Sequence, residues 1–284
     1  MKTLVLASHQ AAVGKSTVAT ILVHQLARHG HRVLAIDLAH PGALGQSLRR
    51  SKRVAVASLG ADAFIGDTLP CLPDVPDQPI VLIDGARRWM GMERQTRLCD
   101  NFIGNLQDMV AIVRRHFDAC VIDTPARPDV RQLAALACAD LVLVPTPLDE
   151  VSIGDVGYLS WHARCGINAI HGSFNPNLRL LGLLPTMVQA DGCQHGDRDR
   201  LDELAAKHQL IRVGGRKNAD EREKARTPIS EFAYIPHRPE IAQTLASGQM
   251  LWDVNATAAR AVWNEIRPTI ETLAARLIAP EVRP

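Results

Sequence analysis

Six short runs in this chain are apolar almost without interruption: residues 3–7 (TLVLA), 32–37 (RVLAID), 79–84 (PIVLID), 119–123 (ACVID), 141–145 (LVLVP) and 180–184 (LLGLL). Strands of this kind do not alternate between an inner and an outer face. They are covered on both sides, which is the condition of a parallel sheet held between two helical layers. The stretches between them read as helices. Residues 14–29 place Val18, Ile21, Leu22, Gln25 and Leu26 at helical spacing, and Gly30 ends the segment. Residues 94–116 and 130–137 are two more helices, and a proline-rich loop fills residues 70–79. The alternation predicts an α/β fold: a doubly wound, mostly parallel sheet. The last third reads as helical, over residues 198–208, 241–247 and 256–278, with Pro268 expected to kink or split the last helix. No linker or internal repeat divides the chain, so residues 1–284 are expected to form a single domain whose C-terminal helices begin at about residue 239.

Composition narrows the function classes. Hydrophobic residues make up 46% and charged residues 22%, the balance of a soluble globular protein. Thirty-two basic residues against 30 acidic ones leave a net charge of +2, so any basic surface must be local. Aromatic residues at 4% are too few for a base-stacking platform. The 6 cysteines include no C-x-x-C pair, which argues against a zinc site or a metal cluster. Cys120 and Cys138 sit in apolar stretches and read as small core residues, as expected of reduced thiols in a cytoplasmic protein. Residues 3–7 are too short for a signal peptide, and no run approaches the roughly 18 apolar residues of a membrane span.

The first strand runs into Ser8-His9-Gln10-Ala11-Ala12-Val13-Gly14-Lys15-Ser16-Thr17, which opens the first helix. A strand, a turn ending Gly-Lys-Ser and a helix form a mononucleotide-binding unit. Backbone N–H groups at the helix start face phosphates, aided by the helix dipole. Lys15 neutralises the outer phosphates, and the Ser16 hydroxyl suits Mg²⁺. The strict motif has glycine where this chain has His9. A histidine in such a loop reads more simply as a hydrogen-bonding or solvated residue than as a catalyst.

The loop resembles the deviant Walker A motif of ParA/MinD-type ATPases, Lys-Gly-Gly-x-Gly-Lys-(Ser/Thr)-Thr, read here from Gln10 to Thr17. The resemblance extends along essentially the whole chain. Residues 37–42 (DLAHPG) are similar to the family's second motif, Asp-x-Asp-Pro-Gln-Gly, and residues 117–125 (FDACVIDTP) to its Walker B strand. Residues 139–145 (ADLVLVP) match the following strand, and residues 182–186 (GLLPT) and 235–236 (IP) the late segments that line the adenine pocket. The pattern is most similar to ParA partition proteins of plasmids and integrative elements, in the short form without an N-terminal DNA-binding domain.

What the resemblance implies is a nucleotide site for ATP or ADP with Mg²⁺, formed by Gln10, Ala11, Ala12, Val13, Gly14, Lys15, Ser16, Thr17, Thr186 and Pro236. Ser16, Asp37 and Asp123 are the implied metal-shell residues, and Asp37 the implied catalytic carboxylate. Three departures bear on turnover. The family's signature lysine, which reaches the partner's phosphates in a sandwich dimer, is Gln10 here, and brings no charge. The two glycines are Ala11 and Ala12, each costing about 1–2 kcal/mol if the loop needs left-handed geometry. Ala39 stands at the position of a hydrolytic Asp. Thr186 stands where many members have an adenine-recognising Asn. Binding is therefore expected to persist while hydrolysis and sandwich dimerisation are impaired; the alternative function is a non-catalytic regulatory module, a pseudo-ATPase.

The resemblance also implies non-specific double-stranded DNA binding, a ParB-like site-binding partner, a nucleotide-dependent homodimer and an association with the nucleoid. Arg212, Arg216, Lys217, Arg222, Lys224 and Arg226 are candidate phosphate contacts, interleaved with Asp220, Glu221 and Glu223, so a solvated mixed-charge loop is the competing reading. Arg49, Arg50, Lys52 and Arg53 form a second basic run. Residues 274–284 (AARLIAPEVRP) are proline-broken and weakly apolar, which argues against membrane targeting.

Overall fold

The computed structural model describes residues 1–39, 42–68, 75–85, 96–126, 129–162, 166–189, 195–213 and 231–280. Within them lie seven strands: β1 (Lys2–Leu6), β2 (Val33–Asp37), β3 (Val54–Val56), β4 (Ile80–Ile83), β5 (Ala119–Asp123), β6 (Leu141–Pro147) and β7 (Arg179–Thr186). They form one sheet in the order β3-β4-β2-β5-β1-β6-β7. Every pair in it is parallel. The helices are α1 (Lys15–Arg28), α2 (Ala43–Leu48), α3 (Thr96–Val113), α4 (Val130–Cys138), α5 (Glu150–Trp161), α6 (Ile167–Ser173), α7 (His195–Lys207), α8 (Pro239–Ala246) and α9 (Thr257–Ile278).

The unbroken apolar runs have a direct cause. Alternate residues of each strand feed two separate cores, one on each face of the sheet. Val5, Leu34, Ile36 and Ile122 join Phe102, Leu106 and Val156 of α3 and α5. Leu4, Leu6, Val33, Ala35 and Val121 join Val18, Leu22, Ile266 and Ile270 of α1 and α9. Both sets are buried, so every position must be apolar; truncating one such Leu or Ile to Ala costs about 2–5 kcal/mol.

Pro268 does not split the last helix, as the sequence suggested: α9 continues for 22 residues with Pro268 inside it. The carbonyl that loses its partner is that of Asn264, four residues earlier and on the exposed side, where it is open to solvent. No helix among the described residues is long and apolar enough to cross a membrane.

Candidate functional site

Parallel strands end together, and what they carry at their C-terminal ends converges on one edge. Here that edge gathers the 8–14 loop after β1, Asp37 at the end of β2, Asp123 at the end of β5 and Thr186 at the end of β7. Asp37 and Asp123 are direct register partners on neighbouring strands. Between the loop and these strand ends lies a cleft of about 340 Å³, lined by residues 11–17, Ala39, Ala43, residues 124–126 and Met187.

The loop turns on two left-handed residues, Gly14 at φ 90° and Ala12 at φ 59°. Ala11 does not share this geometry, so the backbone cost expected for both alanines falls on Ala12 alone. Gly14 caps α1 with no side-chain acceptor, leaving the first amides of the helix facing the cleft. Lys15 is buried, and its Nζ donates to the carbonyl of Gln10 at 2.8 Å, folding the lysine across its own loop. Burial holds its ammonium below the ordinary lysine range, and the charge of Asp123 pulls the other way.

Ser16 Oγ donates to Asp123 Oδ2 at 2.5 Å. The other oxygen, Asp123 Oδ1, is buried with no hydrogen-bond partner. A half-satisfied buried carboxylate is costly, and burial pushes the Asp123 carboxyl above the ordinary range. Ser16 Oγ and Asp123 are hard oxygen donors beside the phosphate loop, a set that fits Mg²⁺. Asp37 is fully buried too, raised first by burial and then by the charge of Asp123. Both its oxygens are occupied: Oδ1 accepts from Ala39 N at 2.9 Å and Oδ2 from Gly45 N at 2.7 Å. Asp37 thereby shapes the turn that carries Ala39 and the start of α2. A Cβ on Gly45 would run into the Asp84 carboxylate, which would have to shift to admit it.

The outer side of the loop is built differently. Ala11 and Ala12 are exposed. The Gln10 side chain folds back onto α5, where its amide lies 2.6 Å from Ser152 Oγ, itself 2.7 Å from Asp149 Oδ2. Ser152 has one hydroxyl proton; the chain is satisfied when Ser152 donates to Asp149 and the Gln10 amide is turned to donate to Ser152. Asp149 is also the N-cap of α5, accepting from Ser152 N. His9 packs edge-on against Tyr158 with ring centroids 4.9 Å apart. Both its ring nitrogens are buried without partners, and burial holds the imidazole below its ordinary pKa. It faces α5 rather than the phosphate cleft.

Of the late segments, Thr186 reaches the loop, its Oγ1 donating to Val13 O at 2.9 Å. Pro236 bridges to Val188 instead and is not among the residues lining the cleft. Of the basic candidates, Arg212 is engaged within the chain: it lies 3.8 Å from Glu231 and stacks over Phe232 at 5.2 Å. Arg216, Lys217, Arg222, Lys224 and Arg226 lie outside the described residues. In the second run, Arg49 pairs with Asp84 and Arg50 donates to Ala246 O, while Lys52 and Arg53 are exposed.

Four participants escaped sequence reasoning. Ser152 and Asp149 anchor Gln10 from 142 residues away in sequence, a spacing no local motif reports. Met187 joins the cleft from a left-handed backbone position. Arg131 pairs with Asp129 and donates to Leu38 O at 3.2 Å, bracing the turn after β2. Its Asp-x-Arg spacing at the start of α4 was the one available signal.

A family profile described as an AAA domain matches residues 1–180. The protein IncC of Escherichia coli is 29% identical over 275 residues, covering 94% of this chain and 67% of IncC. The chromosome-partitioning ATPase Soj of Thermus thermophilus is 29% identical over 193 residues, covering 66% of this chain and 70% of Soj. Among solved structures, cobyrinic acid a,c-diamide synthase from Mycobacterium smegmatis with bound ADP and magnesium superposes with a TM-score of 0.69 at 22% identity, covering 100% of both chains. At that identity the likeness concerns the fold.

Proposed function

Because the chain belongs to the ParA/MinD family of P-loop ATPases, we propose that it binds ATP or ADP with Mg²⁺ between the 10–17 loop and Asp123, and turns the nucleotide over slowly. One observation carries this reading. Asp123 is buried with one oxygen on the Ser16 hydroxyl and the other without a partner, behind Ser16 and Lys15, which line the cleft. A divalent cation would supply charge neutralisation for the phosphates and for this carboxylate together. Lys15 would leave the Gln10 carbonyl for the phosphates, and the amides at the start of α1 would take the remaining oxygens.

Slow turnover rests on the rim. Gln10 is neutral and tied to Ser152, so it brings no cation to a partner's phosphates. Ala39 lines the cleft with a methyl group where a carboxylate would orient water. The role that fits is DNA partition, with double-stranded DNA, a ParB-like site-binding protein and a second copy of the chain as partners. Soj, a chromosome-partitioning ATPase, is the relative that supports it. The same rim favours a second reading, a regulatory module that holds nucleotide without cycling.

The test pairs calorimetric titration with ADP–Mg²⁺ and ATP–Mg²⁺ with a steady-state phosphate-release assay. Binding with turnover well below that of a ParA with an intact loop supports the proposal. Absence of binding sinks it, and release at the rate of the intact ParA sinks the claim of slow turnover. Sizing with and without ATP–Mg²⁺ separates the two readings, since only the partition cycle requires nucleotide-driven pairing.

A further inference from the structure

Two walls of the cleft come from separate strand ends. The turn after β2 contributes Ala39 and Ala43, and the turn after β5 contributes residues 124–126. The two turns meet at Leu38. Its N–H donates to Asp123 O at 2.9 Å, and its carbonyl accepts from Arg131 Nη1 at 3.2 Å. Arg131 belongs to α4, which follows the turn after β5, so its side chain reaches from one wall to the back of the other.

Arg131 is itself held by Asp129. Asp129 Oδ2 accepts from Arg131 Nε at 2.9 Å and from Nη2, and Oδ1 accepts from the Arg131 backbone N–H at 2.8 Å, capping α4. Only 13% of the arginine side chain and 7% of the aspartate side chain are exposed. A buried ion pair adds little net stability over apolar groups of the same shape, because both charges lose their hydration. What this one adds is geometry. A planar guanidinium with one edge fixed on Asp129 directs its remaining corner at a single point, and that point is Leu38 O. Leu38 stands between Asp37 and Ala39, so a clamp on its carbonyl fixes the turn that brings Ala39 to the cleft. Arg131 does not line the cleft and can act on a ligand only through this turn.

We propose that Arg131 is a positioning residue: with Asp129 it clamps the turn after β2 to the turn after β5, and so sets the wall that borders the terminal phosphate of a bound triphosphate. A diphosphate seated on Lys15 and the amides of α1 does not need that wall. The inference rests on the nucleotide reading above. It is tested by calorimetric titration of the full chain with ADP–Mg²⁺ and ATP–Mg²⁺, together with thermal midpoints without ligand. The variants are the double substitution Asp129→Asn with Arg131→Met, and Arg131→Lys alone. The double variant removes the ion pair as a unit, leaves no orphaned charge and keeps a capping side chain, so its midpoint should stay within a few degrees of wild type. It is expected to weaken ATP about five-fold while holding ADP within about two-fold. Arg131→Lys keeps the buried charge paired but lacks the fork, and should lose ATP to the same degree; it decides the matter should the double variant unfold. Unchanged ATP binding overturns the proposal. Equal losses of ADP and ATP overturn it too, since they would make Arg131 an ordinary support of the fold. Wild-type ATP binding in Arg131→Lys overturns the clamp in favour of charge alone. A wild type that binds neither nucleotide overturns the nucleotide reading and this proposal with it.

Discussion

Lys15 and Asp37 lie within a few residues of the rim positions 10–12 and 39, yet they differ from them in burial and bonding. Lys15, Asp37 and Asp123 are buried; Lys15 and Asp37 are tied to backbone and Asp123 to the Ser16 hydroxyl, so each position is constrained by its neighbours. Ala11 and Ala12 are exposed, and Gln10 is anchored to α5 by one polar chain. The floor keeps the residue types that a phosphate and a cation need. The rim presents a neutral amide at Gln10 and a methyl group at Ala39. A buried network can be altered only at the cost of unpaired polar groups, whereas an exposed loop edge can change with little effect on folding.

The largest effect should come from the floor. Lys15→Ala is expected to weaken ATP–Mg²⁺ by about 100-fold or more in calorimetry, while Gln10→Ala on the rim stays within about two-fold. Comparable losses would erase the distinction between the two regions. Next, Gln10→Lys combined with Ala39→Asp should raise phosphate release about ten-fold or more by returning a cation and a carboxylate to the rim. An unchanged rate would place the block elsewhere.

Asp123→Asn sharpens the same contrast through stability. The folded-state carboxyl of Asp123 is raised, so its protonated form is favoured in the native protein. Its contribution is fully present below the ordinary carboxylate pKa and lost as pH rises through the raised one. The variant avoids that loss. Without ligand it should melt about 2–4 °C above wild type near pH 8, with the gap closing toward pH 4, and it should lose Mg²⁺-dependent nucleotide binding. A gap independent of pH would contradict a buried, titrating carboxylate. The smallest effect is expected at Ala12, where Ala12→Gly should stabilise the chain by about 1 kcal/mol in denaturant titration by relieving the left-handed alanine.

The sheet was legible because its strands face two cores, and a run such as VLAID has no polar face to obscure it. β3 was not: Val54–Val56 is a three-residue strand at the sheet edge, partly exposed and flanked by basic and polar residues. α5 was equally hidden. It carries Gly154 and Gly157 and leaves Val151, Tyr158 and Trp161 exposed, so its apolar residues define no single stripe. Within the site, Lys15, Ser16 and Asp123 could be read from motif spacing because strand ends fix where such residues meet. The Gln10–Ser152–Asp149 chain and the strained Met187 could not, since one depends on a contact between distant segments and the other on a backbone angle that side-chain identity does not announce.

Helix α1 carries the loop at one end, and it is gripped between the sheet and α9 through Val18, Ile21, Leu22 and Leu26 against Val262, Trp263, Ile266 and Ile270. A helix packed along its length resists swinging, so its backbone start is held while the Lys15 side chain remains the part of the floor that can move. If the proposed nucleotide binds here, the exposed edge at residues 11–12 and Met187 are the parts of the cleft left to respond to it. Substitutions at that edge would change how a ligand is covered without disturbing the helix that anchors the loop.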